Sequence, residues 1–151
     1  MVDSSLSIDG LRGKVGVEWE SGIYEIEKGM IRRFVQATGD TNPLWQDEEY
    51  AKKRKYGSTI APPAFILTIG FEELQEMLTS VLPGAILHGS TELECYQPLR
   101  PGDVVTATTK ITNIRERQGK MGKTVFVAFD ITYKNQRQQP VAKCRQMVIV
   151  Y

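Results

Sequence analysis

Apolar positions change their spacing once along the chain, which divides it into a helical front and a strand-rich back. Residues 15–27 hold an opening strand centred on Ile23-Tyr24-Glu25-Ile26. Ile31, Phe34, Val35 and Thr38 then recur at helical spacing, and Gly39 stops that helix. Asp40 to Gln46 is loop, and Asp47 caps a short helix to Arg54 with Tyr50 and Ala51 turned inward. After a turn at 56–60, Ala61-Pro62-Pro63 leads into a long apolar helix, Ala64 to Leu82. Proline lacks an N–H and suits the first turn of a helix, where that donor has no partner. Phe65, Ile66, Ile69, Gly70, Leu74, Met77 and Leu78 leave little polar surface on this helix before Glu72, so it is expected to be buried.

From Ala85 the pattern is that of strands, at 86–97, 103–116, 123–134 and 140–151. The runs Val104 to Ile111 and Thr124 to Ile131 are β-branched and partly alternating. Pro101-Gly102-Asp103 and Gln118-Gly119-Lys120 supply turns. One antiparallel sheet wrapped round one long central helix accommodates this order, an α+β architecture. A chain of 151 residues suits a single domain, 1–151, with residues 1–14 as a flexible N-terminal tail.

Composition narrows the function. Nineteen Lys and Arg stand against eighteen Asp and Glu, which gives no electrostatic case for nucleic acid. No stretch approaches the roughly 20 apolar residues of a membrane span, and the N-terminus lacks the pattern of a signal peptide. Cys95 and Cys144 with a single histidine, His88, do not make a zinc-ligand set, so no metal is expected. Free thiols and a cytoplasmic location follow as the expectation, with Cys95 packed into the sheet.

The candidate chemistry lies in Thr38-Gly39-Asp40-Thr41-Asn42-Pro43-Leu44-Trp45, where an acid and an amide sit two residues apart between two helical patterns. Together with Phe34 to Leu44, the stretch Tyr56 to Phe65 and the segment Tyr96-Gln97-Pro98-Leu99-Arg100-Pro101-Gly102-Asp103 occur in an order that resembles the MaoC-like (R)-specific enoyl-thioester hydratases and dehydratases. The resemblance runs from about Val17 to Val150 and implies a hot-dog fold. It implies acyl-coenzyme A or acyl-carrier-protein thioesters as substrates, no cofactor, and a homodimer or a heterodimer with a second hot-dog subunit. The Ala61-Pro62-Pro63-Ala64-Phe65 form is similar to the N-terminal dehydratase half of the family and to the non-catalytic subunit of mycobacterial hydroxyacyl-carrier-protein dehydratases. There, the resemblance implies, one hot-dog shapes the acyl tunnel and its partner supplies the catalytic pair.

Hydration of an enoyl thioester needs a base for water, an acid for the α-carbon, and donors for the enolate oxygen. Relatives hold Asp, Asn and His at positions that here carry Asp40, Asn42 and Trp45. An indole N–H donates but does not titrate. Many relatives also have Ala-His-Gly where this chain has Ala61-Pro62-Pro63, and Pro63 has no N–H to offer the oxyanion. Losing an acid–base group costs about 10²–10⁴ in rate and losing one oxyanion donor about 10²–10³.

Each candidate also has a plainer role. Asp40 and Asn42 serve as site residues or as loop caps, and Trp45 lines an acyl tunnel or fills the space of the absent histidine. Tyr56 gives a hydroxyl to the pocket or packs in the core, and Ala64 is placed in the substrate pocket. Lys52, Lys53 and Arg54, with Lys55, meet coenzyme A phosphates or form a solvated face. His88 is a strand-end residue or the partner of Asp40. Three functions follow: a subunit of a heteromeric hydratase, a self-sufficient homodimeric hydratase using Asp40 and His88, and a non-enzymatic acyl-thioester binder.

Overall fold

The computed structural model describes residues 8–82, 84–120 and 122–151. Five strands form one antiparallel sheet: β1 (Glu18–Glu25), β2 (Ile86–Cys95), β3 (Val104–Gly119), β4 (Gly122–Lys134) and β5 (Pro140–Val150). Their spatial order is β1-β3-β4-β5-β2, so β1 and β2 are the edges. The predicted strands are all present, β3 running three residues past its expected end and β2 stopping two short. Alternation is clear on β3 and β4. Val105, Ala107, Thr109 and Ile111 face inward with Val125, Val127, Phe129, Ile131 and Tyr133, and all are buried. Bulges fall at residues 21, 89 and 112, where the pairing register shifts.

The front of the chain lies on the inner face of this sheet. Helix α2 (Lys28–Thr38) buries Ile31 and Val35 and ends on Gly39, whose φ of 69° is the left-handed conformation glycine adopts without strain. Helix α3 (Glu48–Lys52) is shorter than expected. Asp47 caps it through a carboxylate that accepts the Tyr50 N–H at 3.0 Å, and Ala51 is fully buried.

Two expectations need correction. The single helix of Ala64–Leu82 is two pieces, a 3-10 segment at Pro63–Thr68 and helix α4 (Glu72–Val81). Between them Ile69 is extended and Gly70 has a φ of 97°. Two tyrosines hold the joint. Tyr133, on β4, donates its hydroxyl to the Ile69 carbonyl at 2.9 Å. Tyr24, on β1, accepts the Gly70 N–H at 3.1 Å and donates to the Glu72 carboxylate at 2.8 Å. A side chain at 70 would come within 3.2 Å of the Tyr133 ring. The apolar spacing of the segment is that of a buried helix, but these bonds reward a break that periodicity does not register.

The second correction concerns residues 1–14. Residues 1–7 lie outside the described residues. From Ile8 the chain is ordered: α1 (Ile8–Arg12) places Leu11 in the core with 0% exposure, and Arg12 pairs with Glu116 of β3 at 3.3 Å. Ile8 and Leu11 are two apolar residues in a five-residue helix, too few to give a periodic signal.

Replacing Leu11 by alanine should cost about 2–4 kcal/mol in a denaturant titration, the range for a buried leucine. An exposed-residue value near zero would return α1 to the status of a tail. Burial, reinforced by the hydrogen bond and charge of Glu72, pushes the Tyr24 phenol from 10.0 up to about 12. Its folded value lies above its unfolded one, so its contribution is complete below pH 10 and fades as pH climbs through about 12. Stability should therefore fall over that window, and Tyr24→Phe should flatten the fall when unfolding is measured on either side of it. Tyr133, also pushed up by burial, should add to the part that remains.

Candidate functional site

Gly39 breaks α2 and sends the chain into a loop held by its own side chains. One Asp40 carboxylate oxygen accepts the Asn42 N–H at 2.9 Å. The Asn42 amide oxygen accepts the Leu44 N–H at 3.0 Å and so caps a 3-10 turn at Pro43–Trp45. The turn is tied to the next strand-like segment by the Ile60 N–H on the Leu44 carbonyl at 3.4 Å. That segment in turn reaches the end of the sheet through the Ala61 N–H on the Leu99 carbonyl at 2.8 Å. Backbone order therefore sets Leu44 and Trp45 against the end of β2.

An apolar cavity of about 260 Å³ opens there. Leu44, Trp45, Tyr56, Ile60, Pro63 and Ile66 form one wall, and the segment 95–99 with Val141 and Ala142 forms the other. Trp45 and Tyr56 both line this cavity. The Trp45 indole nitrogen is buried and has no hydrogen-bond partner among the described residues. Pro62 and Pro63 contribute ring surface and no donor to this wall.

The other candidates lie elsewhere. Asp40 and Asn42 are exposed and line a separate, open depression with Thr41, Gln46 and the acidic start of α3. Ala64 is exposed and is not among the residues that line the apolar cavity. Lys52 is paired with Glu49 at 3.5 Å, while Lys53 and Arg54 sit just before Tyr56 with Arg54 stacked on Tyr50 at 4.2 Å.

His88 sits near the start of β2, where its ring nitrogen shares a hydrogen bond with Thr91 at 3.0 Å. It lines a third cavity of about 370 Å³ with Leu67, Phe71, Leu74 and Phe129. Seven residues of strand, roughly 23 Å, separate it from Cys95 at the end where Trp45 packs. Within this chain His88 and Asp40 line different cavities.

Sequence reasoning did not single out Cys95, Tyr96 or Gln97 as cavity residues. Cys95 is exposed rather than packed into the sheet, because the strand ends there; Cys144 is the buried thiol. Partial burial raises the Cys95 pKa, so it is no thiolate nucleophile at neutral pH. The sequence signal for these residues is the Tyr96-to-Asp103 segment, whose first four residues line the cavity. Among the described residues no group of His, Cys, Asp and Glu can hold a metal ion, and no helix is long and apolar enough to cross a membrane.

The cavity lining is largely apolar and, among the described residues, includes no Asp, Glu or His. Comparison with known proteins gives the family. Residues 13–144 match the FAS1-like, dehydratase domain region. A UPF0336 protein of Streptomyces avermitilis is 34% identical over 100 residues, 64% of this chain and 67% of that protein's length. A MaoC-like dehydratase from Rhodospirillum rubrum superposes with a TM-score of 0.66 at 28% identity, covering 91% of this chain and 92% of the other. The HadBC (3R-hydroxyacyl-ACP dehydratase) complex from Mycobacterium tuberculosis gives 0.76 at 19% identity, over 90% of this chain and 96% of that one. Its identity is low enough that it speaks to the fold alone. With the match spanning most of its length and the hot-dog sheet formed, this chain belongs to the FAS1-like dehydratase region family of MaoC-like hot-dog proteins.

Proposed function

We propose that this chain is the substrate-binding subunit of a heteromeric hydratase or dehydratase acting on enoyl and 3-hydroxyacyl thioesters. A partner hot-dog chain supplies the acid–base pair. One observation carries the reading: Trp45, which takes the place of the family's histidine, forms the wall of an apolar cavity beside Pro62 and Pro63. The position that would titrate instead supplies apolar surface. The position that would donate to an oxyanion has no hydrogen.

The reaction itself is an addition of water. A base removes a proton as the water oxygen bonds to C3, and an acid returns a proton to C2, with no change of oxidation state and no need of a redox group. This chain would hold the acyl group and exclude water from it. Its partner would position the nucleophilic water. That one neighbour of the same fold is itself a complex, HadBC, supports a two-chain arrangement. So does the unpaired edge of β2, since a sheet edge invites pairing with a second chain.

Purified alone, the chain should hydrate crotonyl-CoA at a rate about 10²-fold or more below a hydratase with a full Asp and His pair. Activity should appear on co-expression with a hot-dog chain that carries such a pair. Turnover by this chain alone at ordinary family rates, abolished in Asp40→Asn, would sink the subunit reading.

Within an active complex, His88→Ala should leave kcat unchanged. A loss of two orders of magnitude would instead favour a hydratase built on Asp40 and His88. Asp40→Asn and Asn42→Ala separate caps from chemistry. An Asn at 40 still offers an oxygen to the Asn42 N–H, so stability should hold, whereas loss of the Asn42 cap should cost about 1 kcal/mol in denaturant.

A further inference from the structure

We propose that two copies of this chain stack through the outer faces of their sheets, about a two-fold axis that runs along the strands between β4 and β5. The inference is independent of the thioester reading and leaves the backbone edge of β2 open.

The face of an antiparallel sheet turned away from the core is polar where it meets water. At one end of this sheet it is, with Thr106 and Thr108 of β3 and Thr132 and Lys134 of β4. Toward the other end the pattern fails. Phe126 of β4 points outward between the buried Val125 and Val127, and Ile149 of β5 shares its side of the sheet. Leu87 of β2 points outward too, since Ile86 and His88 line an inner cavity, and it is 50% exposed. Gly89 leaves room on the same face. A Cβ there would lie 3.0 Å from the Met147 methyl carbon and 3.5 Å from Ile149 Cγ1.

The strand registers set this region in three rows, each crossing β3, β4, β5 and β2 in that order. Arg115, Phe126, Ile149 and Leu87 form the first row. Asn113, Ala128, Met147 and Ser90 form the second, and Lys110, Asp130, Arg145 and Glu92 the third. The third alternates in sign. Arg145 bonds Asp130 at 3.2 Å and pairs with Glu92 at 3.9 Å. A row that alternates over four strands carries opposite charges at positions equidistant from its centre. Its complement is therefore its own reverse.

A two-fold interface supplies that reverse, because residue i of one copy meets j of the other and j meets i. The proposed axis exchanges β4 with β5 and β3 with β2. Asp130 then falls on Arg145, and Lys110 on Glu92. Ala128 falls on Met147, small against large, and Phe126 on Ile149, apolar against apolar. Arg115, which stands 4.7 Å over the Phe126 ring, lays its aliphatic stem on Leu87. Stacked sheets lie about 10 Å apart with their side chains interdigitated, so these are contact pairs. All three rows match a second copy of the chain.

Sedimentation velocity on the full chain tests the stack. At about 100 µM and low salt the chain should sediment as a dimer, and it should dissociate as salt is raised. In Glu92→Lys both crossings to Lys110 pair cation with cation. In Lys110→Glu both pair anion with anion. Either variant alone should raise the dimer dissociation constant about tenfold or more. An equimolar mixture of the two should recover the association of the original chain, because each then offers the charge the other lacks. Ala128→Lys buries a charge at the centre of the stack and should give a monomer. Circular dichroism checks the fold of all three variants, and the mixture decides if Ala128→Lys does not fold.

A monomer of the original chain at that concentration would overturn the stack and leave the apolar row to a different protein. A dimer that none of the variants weakens would also overturn it, since its contact would lie on another surface, such as the β2 edge. So would a mixture that fails to associate, because Glu92 would not then lie on Lys110.

Discussion

Two phenolic hydroxyls fix where the buried segment lies. Tyr24 from an edge strand and Tyr133 from the middle of the sheet take hold of the backbone at Gly70 and Ile69, and the helix cannot run straight through. The carbonyl of Ile69 and the N–H of Gly70 would lie without partners in an apolar interior if these bonds were absent, a cost of about 1–3 kcal/mol for each. Glycine is required at the joint twice over, for its positive φ and for the closeness of the Tyr133 ring. The sheet therefore does more than cover the central segment. It dictates the bend between α4 and the segment whose Pro63 and Ile66 line the cavity.

Much of this could be read from the residues. Period-two alternation identified β3 and β4 because one face of each meets the core and the other meets water. Gly39 and Asp47 marked helix ends through chemistry that acts locally, a left-handed cap and a carboxylate on an N–H. The misses share another cause. Leu11 is buried by a contact with elements far along the chain, and the joint at Gly70 depends on hydroxyls 46 and 64 positions distant. Local patterns carry no record of such partners. The glycine within an apolar run was the one visible sign, and it fits a packed helix as well as a broken one.

The candidate site divides along the same line. Leu44, Trp45 and Tyr56 line one cavity, because short turns with capped ends leave the loop little choice. Asp40 and Asn42 are in the motif too; each gives one oxygen to the loop's own N–H groups, and the pair faces an open, acid-lined depression. What the sequence showed as a missing histidine appears in three dimensions as an apolar wall, with proline rings continuing the indole surface. His88 lines a different cavity from both Asp40 and Trp45, seven residues along β2 from Cys95.

The 3-10 segment at Pro63–Thr68 stands between two hollow spaces. Ile66 belongs to the lining of the cavity beside Trp45, while Leu67, the very next residue, belongs to the one beside His88. Two of the molecule's cavities are thus lined by neighbouring positions of one short segment. Sequence drift can enlarge one compartment by trimming one of these side chains while the dimensions of the other are kept. A lineage of such chains can change the girth of what it accommodates in single-residue steps, without moving the joint, the sheet or the loop.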